Sequence, residues 1–169
     1  ARLLIVGDGS ERDNLEDRAG HMGIRDKVHF TGMVSYDAVH RYLAMADAFV
    51  TASVTEVHPL SVIEAMAAGL PVLGIRSPGV GDMVVDGQTG YLVAQEDDLP
   101  AFTAKMVRLV TDEASRKQMG ERARREAEQY DIRRTTQLMI AAYQEAIRRA
   151  QGRQQGWRAR LARILDRWK

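Results

Sequence analysis

The chain holds 169 residues, 45% hydrophobic and 28% charged, with a formal net charge of +1 and no cysteine. That length suits one core of ordinary domain size, and the lack of cysteine excludes disulfides, thiolate metal sites and cysteine nucleophiles. No apolar stretch approaches the roughly 20 residues of a spanning helix. An apolar run at residues 3–6 predicts the first strand, and a helix over 11–22 follows it with Ser10 as the expected N-cap. The next strand is expected at 28–31, then a helix at 36–44 capped by Ser35. A buried strand at 48–52 leads to a helix at 59–68, a strand at 72–75, a short helix at 81–85 and a strand at 91–93. Beyond Leu99 the pattern is helical, over 101–109, 115–129 and 132–149, with Asp131 placed to cap the last. This rhythm predicts an α/β fold: a three-layer α/β/α, Rossmann-like parallel sheet with right-handed crossovers and extra C-terminal helices.

The most informative segment runs from Thr55 to Val72. Pro59 opens a helix where its missing N–H has no intrahelical partner to lose. Val62, Ile63, Met66 and Ala67 supply an apolar face. Gly69 is a left-handed stop, and Leu70-Pro71 bars continuation. Glu56 and Glu64 therefore flank a helix N-terminus at the carboxyl end of a parallel strand, the edge at which open α/β sheets bind ligands. Helix N-termini attract phosphate, while carboxylates suit sugar and ribose hydroxyls. The layout points to a nucleotide-sugar site. For two isolated glutamates, the plainer alternative is a solvated helix acid and a loop acid.

At these residues the chain resembles the retaining, family 4 type glycosyltransferases of the GT-B fold, specifically their C-terminal, donor-binding half. The signature is Glu, seven residues, Glu, then Ala-Met-Ala-Ala-Gly-x-Pro-Val, and it stands here as Glu56 and Glu64 followed by Ala65 to Val72. Further landmarks are Leu4 to Gly9, Val28 to Gly32 and Asp86 to Val93, in the family's order. The resemblance implies that Glu56 holds hydroxyls of the donor sugar and is the residue nearest the chemistry, and that Glu64 holds the ribose. It further implies that His58 and the backbone around Leu60, Ser61 and Val62 face the sugar and diphosphate, and that Thr31, Gly32 and Met33 approach the base. Val57-His58-Pro59 departs from the family's glycines at that place, so the amide contacts have to come from the neighbours of Pro59. A lone histidine such as His58 is more often a packing or solvent-facing group than a ligand.

The family's domain normally begins with a strand, a Gly-Arg loop and a lysine that hold the diphosphate, and an acceptor-binding N-terminal domain precedes it. Residue 1 is Ala, and Arg2 leads straight into what resembles the domain's second strand. The expectation is a nucleotide-sugar-binding domain over 1–150, lacking its first strand and helix and inactive by itself, followed by a basic helical tail over 151–169.

Other constellations are weaker. Gly7-Asp8-Gly9 follows a strand, but Arg12 occupies the third glycine position of a dinucleotide fingerprint. His21, His29, His40 and His58 lack ligand spacing, and no Asp-x-Asp pair is present, so neither a metal nor a cofactor is expected beyond the nucleoside diphosphate sugar itself. The glycines of Ser77 to Asp82 either let a ligand approach or form a plain loop. Asp82 stands where the family usually has an acid that serves the loop.

Charge is uneven. Residues 151–169 carry six Lys/Arg against one acid, Asp166, leaving 18 basic against 22 acidic residues before them. At 100° per residue, Trp157, Leu161, Ile164, Leu165 and Trp168 share one arc, with arginines opposite. That pattern suits an anionic membrane surface or a packing partner such as the N-terminal domain; the tryptophan arc argues against nucleic acid. The expected function is sugar transfer from a nucleoside diphosphate sugar to an acceptor, a membrane lipid or polysaccharide precursor, in a cytoplasmic or membrane-face setting. The alternatives are a nucleotide-sugar epimerase of the same fold and a non-catalytic nucleotide-binding or membrane-docking module.

Overall fold

Five short aliphatic runs form strands, and every pairing between them is parallel. In this computed structural model, which describes residues 1–166, they are β1 (Leu3–Ile5), β2 (Val28–Phe30), β3 (Phe49–Val50), β4 (Val72–Ile75) and β5 (Gly90–Val93). The side chains of residues 153–156, 158–162 and 164–166 also lie outside the description. Hydrogen bonds join β1 to β2 with Leu3 opposite Val28, and order the others β3–β4–β5 with Leu73 opposite both Val50 and Tyr91. Parallel neighbours require crossover connections. These are supplied by α1 (Arg12–His21), α2 (Val39–Met45), α3 (Leu60–Ala67) and α4 (Val80–Met83). Then follow α5 (Leu99–Thr111), α6 (Glu113–Ala127) and α7 (Ile132–Asp166).

The strands form two sheets in place of the single sheet expected, β1–β2 and β3–β4–β5, and the three-stranded one is covered on both faces. Successive strand residues point to opposite faces, yet Val72, Leu73 and Ile75 of β4 are all at most 5% exposed. On one face Leu73 packs with Tyr91 and Val93 of β5, Leu109 of α5 and Met119 of α6. On the other, Gly74 leaves room for Val80 of α4, whose Cγ1 would lie 2.7 Å from an added Cβ. Helix, sheet, helix is the three-layer order expected. The region of β1, its following loop and α1 contributes less to the core: Leu3, Val6 and Leu15 are 41% to 48% exposed.

Local signals were met unevenly. Asp131 caps α7, its Oδ1 accepting from the N–H groups of Arg133 and Arg134 at 2.8 and 3.3 Å. Neither Ser10 nor Ser35 caps a helix with its side chain: α1 starts after Glu11, and Ser35 precedes a 3-10 turn at Tyr36–Ala38 without a cap bond. The helix expected over 36–44 is thus that turn followed by α2. Asp112 ends α5 and begins α6, accepting from the Ser115 N–H at 2.9 Å and the Ser115 hydroxyl at 2.6 Å.

By contacts the chain divides into two compact units, Ala1–Glu128 and Gln129–Lys169. In the second, α7 runs on well past residue 149 to Asp166. Ile132, Met139, Ile140, Tyr143, Ile147 and Trp157 are each at least 50% exposed. At about 100° per residue they share an arc roughly 100° wide. Of the apolar arc expected over 157–168, Trp157 is described and exposed. The side chains of Leu161, Ile164 and Leu165, and Trp168 itself, lie outside the described residues. Among the described residues no helix is long and apolar enough to cross a membrane.

Candidate functional site

The segment that joins β3 to β4 builds the site. Pro59 is the N-cap of α3, with φ −69° and ψ 102°, and its carbonyl accepts from the N–H groups of Val62 and Ile63 at 3.1 and 3.3 Å. Leu60 and Ser61 are the first two helical residues, whose N–H groups have no acceptor within the helix and point out of its end. Val62, Ala65 and Met66 are fully buried and seat α3. This orientation leaves Leu60 and Ser61 exposed and Glu64 partly so. Gly69 takes φ +84° and stops the helix, as its place before Leu70-Pro71 predicts.

Glu64 is joined to a segment far from it in sequence. The hydroxyl of Tyr36 donates to Oε1 of Glu64 at 3.0 Å. The carboxylate holds the Tyr36 phenol above its ordinary value, first through this hydrogen bond and then through its charge. Tyr36 begins the 3-10 turn that follows Thr31, Gly32 and Met33, so the bond brings the loop at the carboxyl end of β2 beside α3. That loop is itself tied to β1: the Gly7 N–H donates to the Gly32 carbonyl at 3.2 Å, and the Thr31 N–H to the Ile5 carbonyl at 3.0 Å. Gly32 is buried with φ +69°, whereas Met33 is 79% exposed. Arg12 closes the β1 loop through Asp8 at 3.4 Å and Glu16 at 3.0 Å, and so fills the place where a dinucleotide fingerprint would need glycine.

Glu56 sits on a loop held from the other side. Gly79, at φ +81°, packs so closely that a Cβ there would lie 2.5 Å from the Glu56 carbonyl oxygen and 2.6 Å from that of Val57. Asp82 secures this glycine by accepting from its N–H at 3.4 Å. The glycine of the Ser77–Asp82 loop thus admits a neighbouring stretch of the same chain, and Asp82 serves the loop. Glu56, Val57 and His58 are exposed.

The loops that follow β1 and β2 of the two-stranded sheet and β3 and β4 of the three-stranded sheet are therefore linked through α3 and its flanks. Glu64 and the Thr31–Met33 loop meet through Tyr36, and the Glu56 loop meets the loop after β4 through Gly79. Tyr36 did not stand out as a site residue in the sequence, and Gly79 stood in a loop for which the sequence left both a ligand approach and a plain loop open. A tyrosine after Ser35 looks like any helix-start residue, and Gly79 could equally have faced a ligand or solvent. Among the described residues, no three His, Asp or Glu side chains come together as a metal cluster.

Residues 1–126 match the model of the family described as glycosyl transferases group 1. The chain is 37% identical over 124 residues to N-acetyl-alpha-D-glucosaminyl L-malate synthase of Bacillus anthracis, covering 73% of this chain and 32% of that protein. It is 34% identical over 151 residues to a sulfoquinovosyl transferase of Arabidopsis thaliana, covering 87% and 29%. The fold matches the pneumococcal O-GlcNAc transferase solved with UDP and GlcNAc at a TM-score of 0.76 and 23% identity, over 86% of this chain and 29% of that one. The chain spans about a third or less of the length of these proteins.

Proposed function

The chain belongs to the glycosyl transferases group 1 family, and from that premise we propose that it is the donor-binding half of an enzyme that moves a sugar from a nucleoside diphosphate sugar to an acceptor. The observation that carries this is the place where Glu64, the Thr31–Met33 loop and the Glu56 loop gather around the start of α3. Acids and exposed helix-start amides alternate there, as a ligand with hydroxyls at both ends and a diphosphate between requires. In this reading Glu64 takes the ribose hydroxyls, and Thr31, Gly32 and Met33 flank the base. Amides around Leu60, Ser61 and Val62 lie along the diphosphate, the Val62 N–H after leaving the Pro59 carbonyl. Glu56 and His58 face the sugar. As the bond from the anomeric carbon to the diphosphate breaks, negative charge grows on the leaving group, and amides fixed in advance stabilise it without reorganising.

Retention at the anomeric carbon, independence of metal and work at a cytoplasmic membrane face belong to the same proposal. The exposed Trp157 and the arginines of residues 151–169 support a surface role for the tail, with residues 1–150 serving the donor and a separate domain the acceptor. A lipid or polysaccharide precursor is the acceptor class that fits such a tail. The Arabidopsis relative is named for transfer, which favours this reading over epimerisation.

Calorimetric titration of the chain with UDP, GDP and ADP in chelator tests it, with Glu64→Ala as control. One nucleotide should bind, and the variant should weaken it about tenfold or more, the scale of hydrogen bonds to a charged group. A nucleotide that binds both proteins equally would place the site elsewhere.

A further inference from the structure

Tyr36 is 76% exposed, so its ring is not held for the sake of the core. It is nevertheless directed across 28 residues of sequence to a single acceptor, Oε1 of Glu64 at 3.0 Å. Tyr36 opens the 3-10 turn at Tyr36–Ala38, the segment that this bond ties to α3. A carboxylate has two oxygens and about four acceptor positions. One phenol hydroxyl uses one of them and leaves acceptor capacity on both oxygens, enough for a pair of adjacent hydroxyls. What the phenol removes is freedom: a glutamate on a helix surface otherwise samples several rotamers, and a ligand must then order it at a cost to affinity.

We propose that Tyr36 is a positioning residue of the nucleotide site, whose hydroxyl presents the Glu64 carboxylate to the ribose diol of a nucleoside diphosphate. This rests on the donor-site reading above. Tyr36 acts through Glu64, and its contribution is specific to the 2′- and 3′-hydroxyls. The base and the diphosphate do not depend on it.

The test is a ligand-observed NMR titration of the full chain with UDP, GDP and ADP and with their 2′,3′-dideoxy counterparts, for the wild type and Tyr36→Phe. The substitution removes one exposed oxygen and keeps the ring, and an unchanged thermal melt checks that the fold is intact. The wild type should prefer the ribonucleotide. Tyr36→Phe should lose about threefold to tenfold in affinity for it, the worth of one hydrogen bond, and nothing for the dideoxy form, so the preference shrinks. A merely structural tyrosine would weaken both forms alike, and a surface one neither; either result overturns the proposal while the wild-type preference keeps the donor site. If the wild type binds no nucleotide, or binds both forms equally, the donor-site reading itself falls and the proposal with it.

Discussion

Gly79→Ala probes the packing that holds the Glu56 loop. Two effects act at this position and can be separated. Gly79 has φ +81°, and Gly87 elsewhere is close to it at φ +76° with nothing within 4 Å of an added Cβ. A left-handed conformation costs an L-residue about 1–2 kcal/mol, and Gly87→Ala should lose that much and no more. At Gly79 the new methyl would also stand 2.5 and 2.6 Å from two backbone carbonyl oxygens, against ordinary contact from 3.4 Å. Backbone cannot turn aside as a flexible side chain does, so the Glu56–Val57 stretch must retreat by close to an ångström. Overpacking of this kind costs a further ~1–3 kcal/mol, which brings Gly79→Ala to about 2–5 kcal/mol in all. Thermal melts of the two variants and the wild type give the comparison directly. The displaced loop carries Glu56, so binding of a nucleoside diphosphate sugar should suffer more than binding of the bare diphosphate. If Gly79→Ala melts within experimental error of Gly87→Ala and keeps the sugar's share of the affinity, the loop is not held as described.

Gly120→Ala should lower the melting temperature by several degrees, because its Cβ would land on the Gly69 carbonyl and part α3 from α6. Gly152→Ala, in open space on α7, should instead raise helicity by circular dichroism, at up to about 1 kcal/mol for glycine replaced by alanine. Ser115 holds the Asp112 carboxyl below its ordinary value through its hydroxyl first and its N–H second; burial opposes this, and the charges of Arg108 and Arg116 add to it by less. A carboxyl lowered in the folded state adds stability above its unfolded value and loses it as the pH falls through the folded one. Melts of wild type and Asp112→Ala should therefore differ most at pH 7 and draw together as the pH falls through the lowered Asp112 value; a gap of unchanged size there would refute the charge-based cap. Flotation with vesicles containing anionic lipid should carry the whole chain and leave behind one lacking residues 151–169, and equal flotation would sink the membrane role of the tail.

What could be read along the chain was what short stretches decide for themselves. Pro59 and Gly69 bound α3 because proline fixes the backbone at its own position and glycine turns left-handed at its own without penalty, and α3 runs Leu60–Ala67 between them. The alternation of apolar runs with helical periods gave the parallel α/β fold, since each period reflects one element's geometry. The spacing from Glu56 to Glu64, with Ala65 to Val72 behind it, identified the family because it spans one strand-to-strand connection. Caps were harder even locally: Asp131 caps α7, but Ser10 and Ser35 do not cap, because a serine hydroxyl satisfies a cap only if the turn before the helix aims it there. The tertiary structure alone decided that Tyr36 meets Glu64 and that Gly79 presses on Glu56. Those pairs are 28 and 23 residues apart. Their meeting depends on strand register and on the path of each crossover, and these are properties of packed elements that no single stretch of sequence contains.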